Sequence, residues 1–281
     1  MLFLAYEVVD VFTDTAYAGN PLAVVLDADD LSTEQLQTLA REFNLSETAF
    51  PLRAPNGATY GLRIFTPVRE LPFAGHPSVG AAAVLHRLGR IDSGPNVQAC
   101  GAGLLAVDVV AGGATLSGGA ATVSDPLDPT PFLAALRLTR DDLAGPPVRW
   151  AGVGIDFAYV LVRPAALESV APDNDAVEAL GGTGVSVVAW GDGVARCRVF
   201  CGGAGVPEDP ATGSAALGLG VHLAASGLLP DGRSTYVVEQ GREMGRPSTM
   251  RCTVTVVDGT VTACTVSGTV VPIARGEIRV P

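Results

Sequence analysis

The sequence predicts an α+β fold of two pseudo-symmetric domains, each a curled, mostly antiparallel, barrel-like sheet around a central helix. Three observations predict it: a motif that occurs twice at a domain-sized interval, two helices that are apolar on nearly every face, and a proline-rich segment between the copies. The interval is longer than the roughly 20–50 residues of solenoid repeats and matches the size of a domain.

The duplicated motif is (His or Asp)-Pro-x-x-Gly-(Ala or Ser)-Ala-Ala. It begins at His76 in the first copy and at Asp209, 133 positions later, in the second. Upstream, Arg-Ile-Phe at 63–65 and Arg-Val-Phe at 198–200 are 135 positions apart. We therefore expect two related halves and a linker, with the last strand able to pack on the first half. The predicted boundaries are 1–124 for the first half, 125–131 for the linker and 132–281 for the second half.

Runs of apolar residues, alternating or continuous, predict the strands of both halves. In the first half the predicted strands are 2–12, 22–27, 47–53, 58–66, 103–110 and 114–123. In the second half they lie near 148–162, 185–190, 195–201, 234–239, 250–257, 260–271 and 277–280.

Helices are predicted over 33–43, 77–88, 173–180 and 211–226, and Ser32 is a polar cap for the first of them. The helices at 77–88 and 211–226 consist mainly of Gly, Ala and other apolar residues. A helix that is apolar on every face is buried on every face. These two are therefore the predicted central helices.

Composition narrows the possible partners. Apolar residues make up 48% of the chain and the net charge is −11, so a large core is possible and global disorder is excluded. Nucleic acid and anionic membranes need basic patches and are not expected as partners. A small anionic substrate stays possible, because a local site can oppose the global charge.

All 18 basic residues are arginine, which excludes a pyridoxal-phosphate Schiff base, a lysine general base and a Walker A lysine. The five cysteines lie in strand-like runs. We expect them to be free thiols in a reducing cytosol, since no secretory signal and no bilayer-length apolar run is evident. No metal site is predicted. The glycine-rich stretch 202–205 has the spacing of neither nucleotide-binding fingerprint.

Candidate functional residues lie at the predicted helix starts. A helix N-terminus presents unbonded N–H groups and a partial positive charge that attract a carboxylate. With His76 at one such end and Asp209 at the other, two related halves could form a carboxylate cradle, to which Ser214 adds a hydroxyl. Taken singly, His76 and Asp209 also fit plain capping residues, and Ser214 also fits a small helical residue.

Glu47 is the candidate acid–base residue. It falls at a helix-to-strand junction and is followed by the apolar residues 49–52. A carboxyl group beside an apolar wall has its pKa raised toward neutrality, which suits proton transfer. A solvated turn acid is the alternative reading. Glu70 and Glu208 could be surface charges, and His86 and His222 are predicted to be structural.

Several segments together resemble the PhzF family of phenazine-biosynthesis isomerases. They are Gly-Asn-Pro at 19–21, Asn-Leu-Ser-Glu-Thr at 44–48, Gly-His-Pro at 75–77, Glu-Asp-Pro-Ala-Thr-Gly-Ser-Ala at 208–215, Gln-Gly at 240–241 and Gly-Arg-Pro-Ser at 245–248. The resemblance covers essentially the whole chain. It implies the diaminopimelate epimerase fold and a homodimer. It also implies a cofactor-independent isomerase that shifts a proton and a double bond in a small carboxylic acid such as trans-2,3-dihydro-3-hydroxyanthranilate.

By the family's motif, Glu47 would carry the proton, with His76 and Asp209 as its polar partners. The implied substrate-binding residues are Asn20, Ser46, Gly75, Gly213 and Ser214. Related epimerases use two cysteines at the N-termini of the two central helices, and no cysteine of this chain is predicted at either N-terminus. The alternatives are a non-thiol amino-acid racemase or epimerase and a non-catalytic binder of small acids.

Overall fold

The computed structural model describes residues 1–55, 57–202 and 206–281, so most of the glycine-rich stretch 202–205 lies outside the described residues. The chain forms two compact units. Unit 1 comprises Met1–Ser117 and Ser267–Pro281, and unit 2 comprises Gly118–Val266. Residues 118–131, which include the predicted linker, are thus part of unit 2, and the C-terminal segment is part of unit 1.

Unit 1 is a closed barrel of eight strands. Its ring runs β1-β2-β3-β4-β6-β7-β8-β17 and returns to β1. The β2–β3 and β4–β6 pairs are parallel, and the short strand β5 pairs with β4. The strands are β1 (Phe3–Val11), β2 (Asn20–Val25), β3 (Glu47–Leu52), β4 (Tyr60–Phe65), β5 (Glu70–Leu71), β6 (Gly94–Cys100), β7 (Gly103–Val110), β8 (Gly113–Ser117) and the C-terminal part of β17 (Thr260–Arg279).

The helix α2 (Gly75–Arg87) is the axis of unit 1. Its first eleven residues are all buried, and it packs against β1, β2, β3, β7 and β8. Gly80 shows why small residues are needed: a β-carbon there would lie 2.5 Å from Leu22 and 2.8 Å from Val11. The absence of a side chain lets the strands approach the helix closely.

The helix α1 (Thr33–Phe43) lies outside this barrel. Ser32 caps it through a capping box with Gln35, as the sequence predicts. Its apolar face buries Leu36, Leu39 and Ala40 in a core cluster that also contains Phe50 and Phe65. The strand-to-helix connection through α1 lets β2 and β3 run parallel.

Unit 2 repeats this plan. The β11–β12 and β13–β15 pairs are parallel, while β9–β10, β10–β11, β12–β13, β13–β14 and β15–β16 are antiparallel. The Gly118 N–H donates to Cys264 O on β17 at 2.9 Å. The strands are β9 (Ala121–Val123), β10 (Arg149–Val153), β11 (Asp156–Leu161), β12 (Val185–Gly191), β13 (Val194–Cys201), β14 (Val206–Asp209), β15 (Gly232–Gln240), β16 (Ser248–Val257) and the first part of β17.

The helix α6 (Gly213–Ala225) is the axis of unit 2 and packs against β9, β10, β11 and β16. Two buried tyrosines bind its backbone. The Tyr159 hydroxyl donates to Ala215 O at 2.7 Å, and the Tyr236 hydroxyl donates to Ala216 O at 2.6 Å. The predicted fold class, a barrel-like sheet around a central helix in each half, is confirmed.

Three short helices cover a second core of unit 2: α3 (Thr130–Leu136), α4 (Pro164–Ser169) and α5 (Asn174–Ala179). Of these, α5 was predicted from the sequence, and α3 and α4 were not. The strands β5, β6 and β14 were also missed. The predicted strand 114–123 is divided into β8 and β9, and the predicted strands 260–271 and 277–280 are one strand, β17. No helix of the described chain is long and apolar enough to cross a membrane.

Candidate active site

The first group of predicted site residues lies at the N-terminus of α2 in unit 1. Gly75 and His76 are the first two residues of the helix, and Pro77 follows in the first turn, where its missing N–H costs little. The N-cap residue is Ala74, which has no side-chain oxygen to bond the first N–H groups. The helix therefore begins without a capping side chain, as an anion-binding N-terminus would.

Asn20 and Ser46 approach His76 from two neighbouring strands. Asn20 is the first residue of β2, and Ser46 directly precedes β3, so the parallel pairing of these strands brings the two side chains together. Ser46 Oγ donates to Asn20 Oδ1 at 2.9 Å, and Asn20 Nδ2 lies 3.2 Å from His76 Nδ1. An amide NH₂ group only donates, so Nδ1 accepts and the ring proton of a neutral imidazole resides on Nε2.

Glu47 is the first residue of β3, and its Oε2 lies 3.4 Å from His76 Nδ1. This contact is not a salt bridge at neutral pH, because burial lowers the pKa of His76 to about 3. The imidazole is only 2% exposed. Its Nε2 has no hydrogen-bond partner among the residues that the structure describes.

A buried hydrogen-bond chain supports the first turn of α2. Ser78 Oγ donates to Ala74 O at 2.8 Å, Gln98 Nε2 donates to Ser78 Oγ at 2.9 Å, and the Tyr60 hydroxyl donates to Gln98 Oε1 at 3.1 Å. Burial raises the pKa of Tyr60, so its phenol stays a donor. Strands β4 and β6 thereby fix the position of the helix start that carries His76.

The second group of predicted site residues lies where β14 leads into α6 in unit 2. Asp209 is the last residue of β14 and is 6% exposed. The prediction that Asp209 opens the helix is wrong, because α6 begins four residues later, at Gly213. Ser214 is the second helical residue and is buried. The N-cap residue, Thr212, makes no side-chain hydrogen bond to its own helix.

The register of the duplication also needs correction for these helices. Both are 13 residues long, and Gly75 of α2 corresponds to Gly213 of α6, an interval of 138 rather than 133 positions. The positive-φ glycines that follow keep the same interval, Gly89 with Gly227 and Gly94 with Gly232. His76 therefore corresponds to Ser214.

An arginine–glutamate pair precedes each helix, and the two pairs support the corrected alignment of α2 with α6. Arg63 forms two hydrogen bonds of 2.7 Å to Glu70, and Arg198 forms two of 2.8 Å to Glu208. Each arginine also stacks over a phenylalanine two residues on. The prediction of two surface charges fails for Glu208, which is 19% exposed in its side chain and paired. The ladder from β13 to β14 thus places Asp209.

Thr212 and Gln240 were missed by sequence reasoning, yet both hold Asp209. Thr212 Oγ1 donates to Asp209 Oδ2 at 2.6 Å, and Gln240 Nε2 donates to Thr212 Oγ1 at 3.0 Å. Gln240 is 3% exposed although it ends a strand. Both residues lie in segments that carry the family resemblance, 208–215 and 240–241, but no pattern within either segment shows that their side chains meet.

Within the described residues, no group of three or more His, Cys, Asp or Glu side chains could hold a metal ion. Cys100, Cys197, Cys252 and Cys264 form no disulfide bond. Cys197, Cys252 and Cys264 are buried in the strands of unit 2, and Cys100 ends β6. None of these four lies in the first turn of α2 or α6.

Comparison with known proteins decides the family. A family model described as phenazine biosynthesis-like protein, PhzC-PhzF, matches residues 9–276. The chain belongs to this family. It is 36% identical over 282 residues to the trans-2,3-dihydro-3-hydroxyanthranilate isomerase of Pseudomonas chlororaphis, with 97% of this chain and 98% of that protein covered. It is also 36% identical over 297 residues to an uncharacterized isomerase of Mesorhizobium japonicum, with the same coverage.

Among solved structures, the PhzF-family phenazine biosynthesis protein of Bacillus anthracis superposes with a TM-score of 0.90 at 24% identity, over the full length of both chains. This likeness shows the fold. The sequence relationships show the family and an isomerase. The predicted resemblance to PhzF proteins is thus confirmed.

Proposed function

We propose that this PhzF-family isomerase moves a proton within a small, cyclic, amino-acid-like carboxylic acid, and that Glu47 is the residue that carries it. The relative from Pseudomonas chlororaphis is named for trans-2,3-dihydro-3-hydroxyanthranilate, and this compound is the first candidate substrate. The observation that carries the proposal is the contact between Glu47 Oε2 and a buried imidazole whose pKa is lowered to about 3.

The neutral state of His76 matters for the chemistry. An imidazolium 3.4 Å from Glu47 would hold the carboxylate in an ion pair and oppose its protonation. A neutral imidazole makes no ion pair with the carboxylate and so does not oppose its protonation. Glu47 can then act first as a base and then as an acid.

The proposed reaction conserves atoms and electrons. Glu47 takes a proton from one carbon of the substrate, the electron pair delocalises through the conjugated system, and Glu47 returns the proton to another carbon. The double bonds shift, and no co-reactant is consumed. A positioned general acid–base contributes about 10²–10⁴-fold to such a step.

The uncapped start of each central helix can bind anionic oxygens. We propose that backbone N–H groups at Gly75 of α2, and at Gly213 and Ser214 of α6, bind substrate oxygens, with Asp209 as a further polar contact. Asn20, which is fully buried and bonded to Ser46 and near His76, orients the imidazole. These roles rest on the family motif and on the uncapped helix starts.

The test compares Glu47→Gln with Glu42→Gln, a change of the same kind at an exposed position of α1. Each protein is incubated in D₂O with dihydro-hydroxyanthranilate or small cyclic amino acids, and deuterium incorporation is followed by mass spectrometry. We expect incorporation with wild type and Glu42→Gln, and a rate about 10²–10⁴-fold lower with Glu47→Gln. Equal exchange by both variants would remove Glu47 from the mechanism.

We further propose a cytoplasmic homodimer. The homodimer rests on the family resemblance, and the location rests on Cys100, Cys197, Cys252 and Cys264, which form no disulfide bond. Light scattering coupled to gel filtration measures the mass directly. A monomer mass of 28.6 kDa across the working concentration range would refute the dimer.

A further inference from the structure

The segment between β14 and α6 is held by a hydrogen-bond chain whose direction can be read from the atoms involved. Gln240 Oε1 lies 3.1 Å from the backbone N of Thr212, and Gln240 Nε2 lies 2.6 Å from the backbone O of Asp209. A backbone N–H can only donate and a backbone carbonyl can only accept. The orientation of the Gln240 amide is therefore fixed by two groups that cannot exchange roles.

The fixed orientation of the Gln240 amide determines the direction of the next two hydrogen bonds, which lead to the Asp209 carboxylate. One hydrogen of Gln240 Nε2 goes to the Asp209 carbonyl and the other to Thr212 Oγ1, which is 3.0 Å away. Because Thr212 Oγ1 receives this hydrogen, its own hydrogen is directed to Asp209 Oδ2 at 2.6 Å. Asp209 Oδ2 thus accepts a hydrogen bond, and such a bond favours the ionised carboxylate over the protonated form.

The origin of the chain is rigid. Gln240 ends β15 and is paired with Cys197 on one side and with Ser248 on the other. Ser248 Oγ donates to Pro210 O at 2.9 Å, which anchors the same segment a second time. Gly241 follows with φ of 78°, and a side chain there would overlap the Pro210 carbonyl. Both strand and turn hold the amide in place.

Charged groups also lie near this segment. Among the described residues, Arg198 is paired with Glu208, and this pair, with a smaller contribution from Glu243, raises the pKa of Arg198. Burial raises the pKa of Cys197, so that thiol is neutral. The Thr212 hydroxyl donates to Asp209 Oδ2 from within this segment.

We propose that Gln240 and Thr212 are positioning residues that hold Asp209 as an ionised acceptor in one rotamer. The neutral amide of Gln240 thereby favours the ionised form of a carboxylate that is two hydrogen bonds away. This proposal rests on the proposed function for its kinetic consequence only. Its structural consequence, the protonation of Asp209, can be measured without a substrate.

The experiment labels aspartate carboxyl carbons with ¹³C and titrates them by NMR, with the Asp209 signal assigned by its loss in Asp209→Asn. Thr212→Val keeps the size of the side chain and removes the hydroxyl. Loss of a hydrogen bond to a charged group corresponds to about one to two pH units, so the Asp209 midpoint should move upward by that amount. Thr212→Ser should restore the wild-type midpoint. Thr253→Val, on β16 and half-buried, is the matched control and should leave the midpoint unchanged.

Kinetics provide the second measurement. We expect Thr212→Val to lower kcat about tenfold or more while KM stays within about threefold, and Thr212→Ser to recover most of kcat. Gln240→Met, an isosteric apolar change, should move the midpoint in the same direction and serves if Thr212→Val fails to fold.

The outcomes separate the two proposals. An Asp209 midpoint in Thr212→Val and Gln240→Met equal to that of wild type would overturn the positioning role, whatever the activity. A shifted midpoint in a protein that exchanges no candidate substrate would support the positioning role and count against the proposed function. A shift of the same size in Thr253→Val would show a general loss of stability and would also overturn the positioning role.

Discussion

Gly220 lies in the middle of α6, where a methyl group would meet the Tyr236 hydroxyl. A β-carbon at this position would lie 2.7 Å from that oxygen, and 3.3 Å from both Tyr236 Cε1 and Val254 Cβ. The hydroxyl cannot yield freely, because it donates to Ala216 O at 2.6 Å and its side chain is 3% exposed. Burial raises the pKa of Tyr236 well above its usual value, so the phenol remains a donor.

The cost of Gly220→Ala can be worked from these contacts. Displacing a buried hydroxyl from its acceptor costs about 1–3 kcal/mol, and overpacking a well-filled core costs about 1–3 kcal/mol. Replacing glycine by alanine inside a helix returns about 1 kcal/mol. We therefore expect Gly220→Ala to lower the free energy of unfolding by about 3 kcal/mol.

A double-mutant cycle with Tyr236→Phe isolates the contact. Phenylalanine removes the oxygen and leaves only the 3.3 Å contacts, so Gly220→Ala should cost less than about 1 kcal/mol in that background. Urea unfolding followed by circular dichroism measures all four proteins. Gly191→Ala, where nothing lies within 4 Å of the added β-carbon, is the control. If Gly220→Ala costs as much in the Tyr236→Phe background as in the wild type, the hydroxyl contact is not the cause.

Two further predictions concern titratable groups. Burial raises the pKa of Cys197 and Cys252, and that of Cys264 to about 12. At pH 8 a thiol reagent should therefore react rapidly with half-buried Cys100 and with these three cysteines only after unfolding; fast reaction of any of the three in the folded protein would contradict this. Burial, with a smaller effect of Arg149, lowers the pKa of His222 to about 4. Because the unfolded chain takes up a proton below about pH 6.5, the stabilisation by neutral His222 is complete above that pH and is lost as the pH falls toward 4, by up to about 3 kcal/mol. His222→Phe should flatten the dependence of the unfolding free energy on pH in this window, and an unchanged slope would show that His222 is not its source.

The fold was largely predictable because its signals are of the strongest kind. Two helices apolar on all faces require a sheet wrapped around each of them, and the structure shows this for α2 and α6. The capping box at Ser32 is a local signal and was also found. The strand β6 (Gly94–Cys100) was missed because it begins with Gly and Pro and carries buried Asn96 and Gln98, which resemble a loop.

The candidate site was predictable only in part. Glu47 and His76 are 29 positions apart, and no local pattern brings them together; the family resemblance supplied that pairing, and the packing of α2 against β3 explains it. Letter matching aligned His76 with Asp209 because both precede proline. In the structure, the equivalent positions of the two helices are instead occupied by glycines such as Gly80 and Gly218. At these positions the strands lie so close to the helix that a β-carbon would overlap them.

The corrected register shows how the two units differ in chemistry on one scaffold. Both keep the arginine–glutamate pair before the helix, Arg63 with Glu70 and Arg198 with Glu208. The imidazole of His76 in unit 1, however, corresponds to the hydroxyl of Ser214 in unit 2. The strand of unit 2 equivalent to β3 is β12, and it begins with Val185 where β3 begins with Glu47. The positions of Glu47 and His76 are thus occupied in unit 2 by Val185 and Ser214, which cannot perform the same proton chemistry.

Asp209 likewise has no counterpart in unit 1, where the residue after Glu70 is Leu71. The two polar centres are also built differently. His76 is kept neutral by burial, whereas Asp209 is bound by a directed chain of hydrogen bonds from Gln240 through Thr212. Burial disfavours a charge and a donor to Oδ2 favours one. The same plan of barrel and helix therefore holds a buried imidazole that is kept neutral in unit 1 and a carboxyl group that accepts a directed hydrogen bond in unit 2.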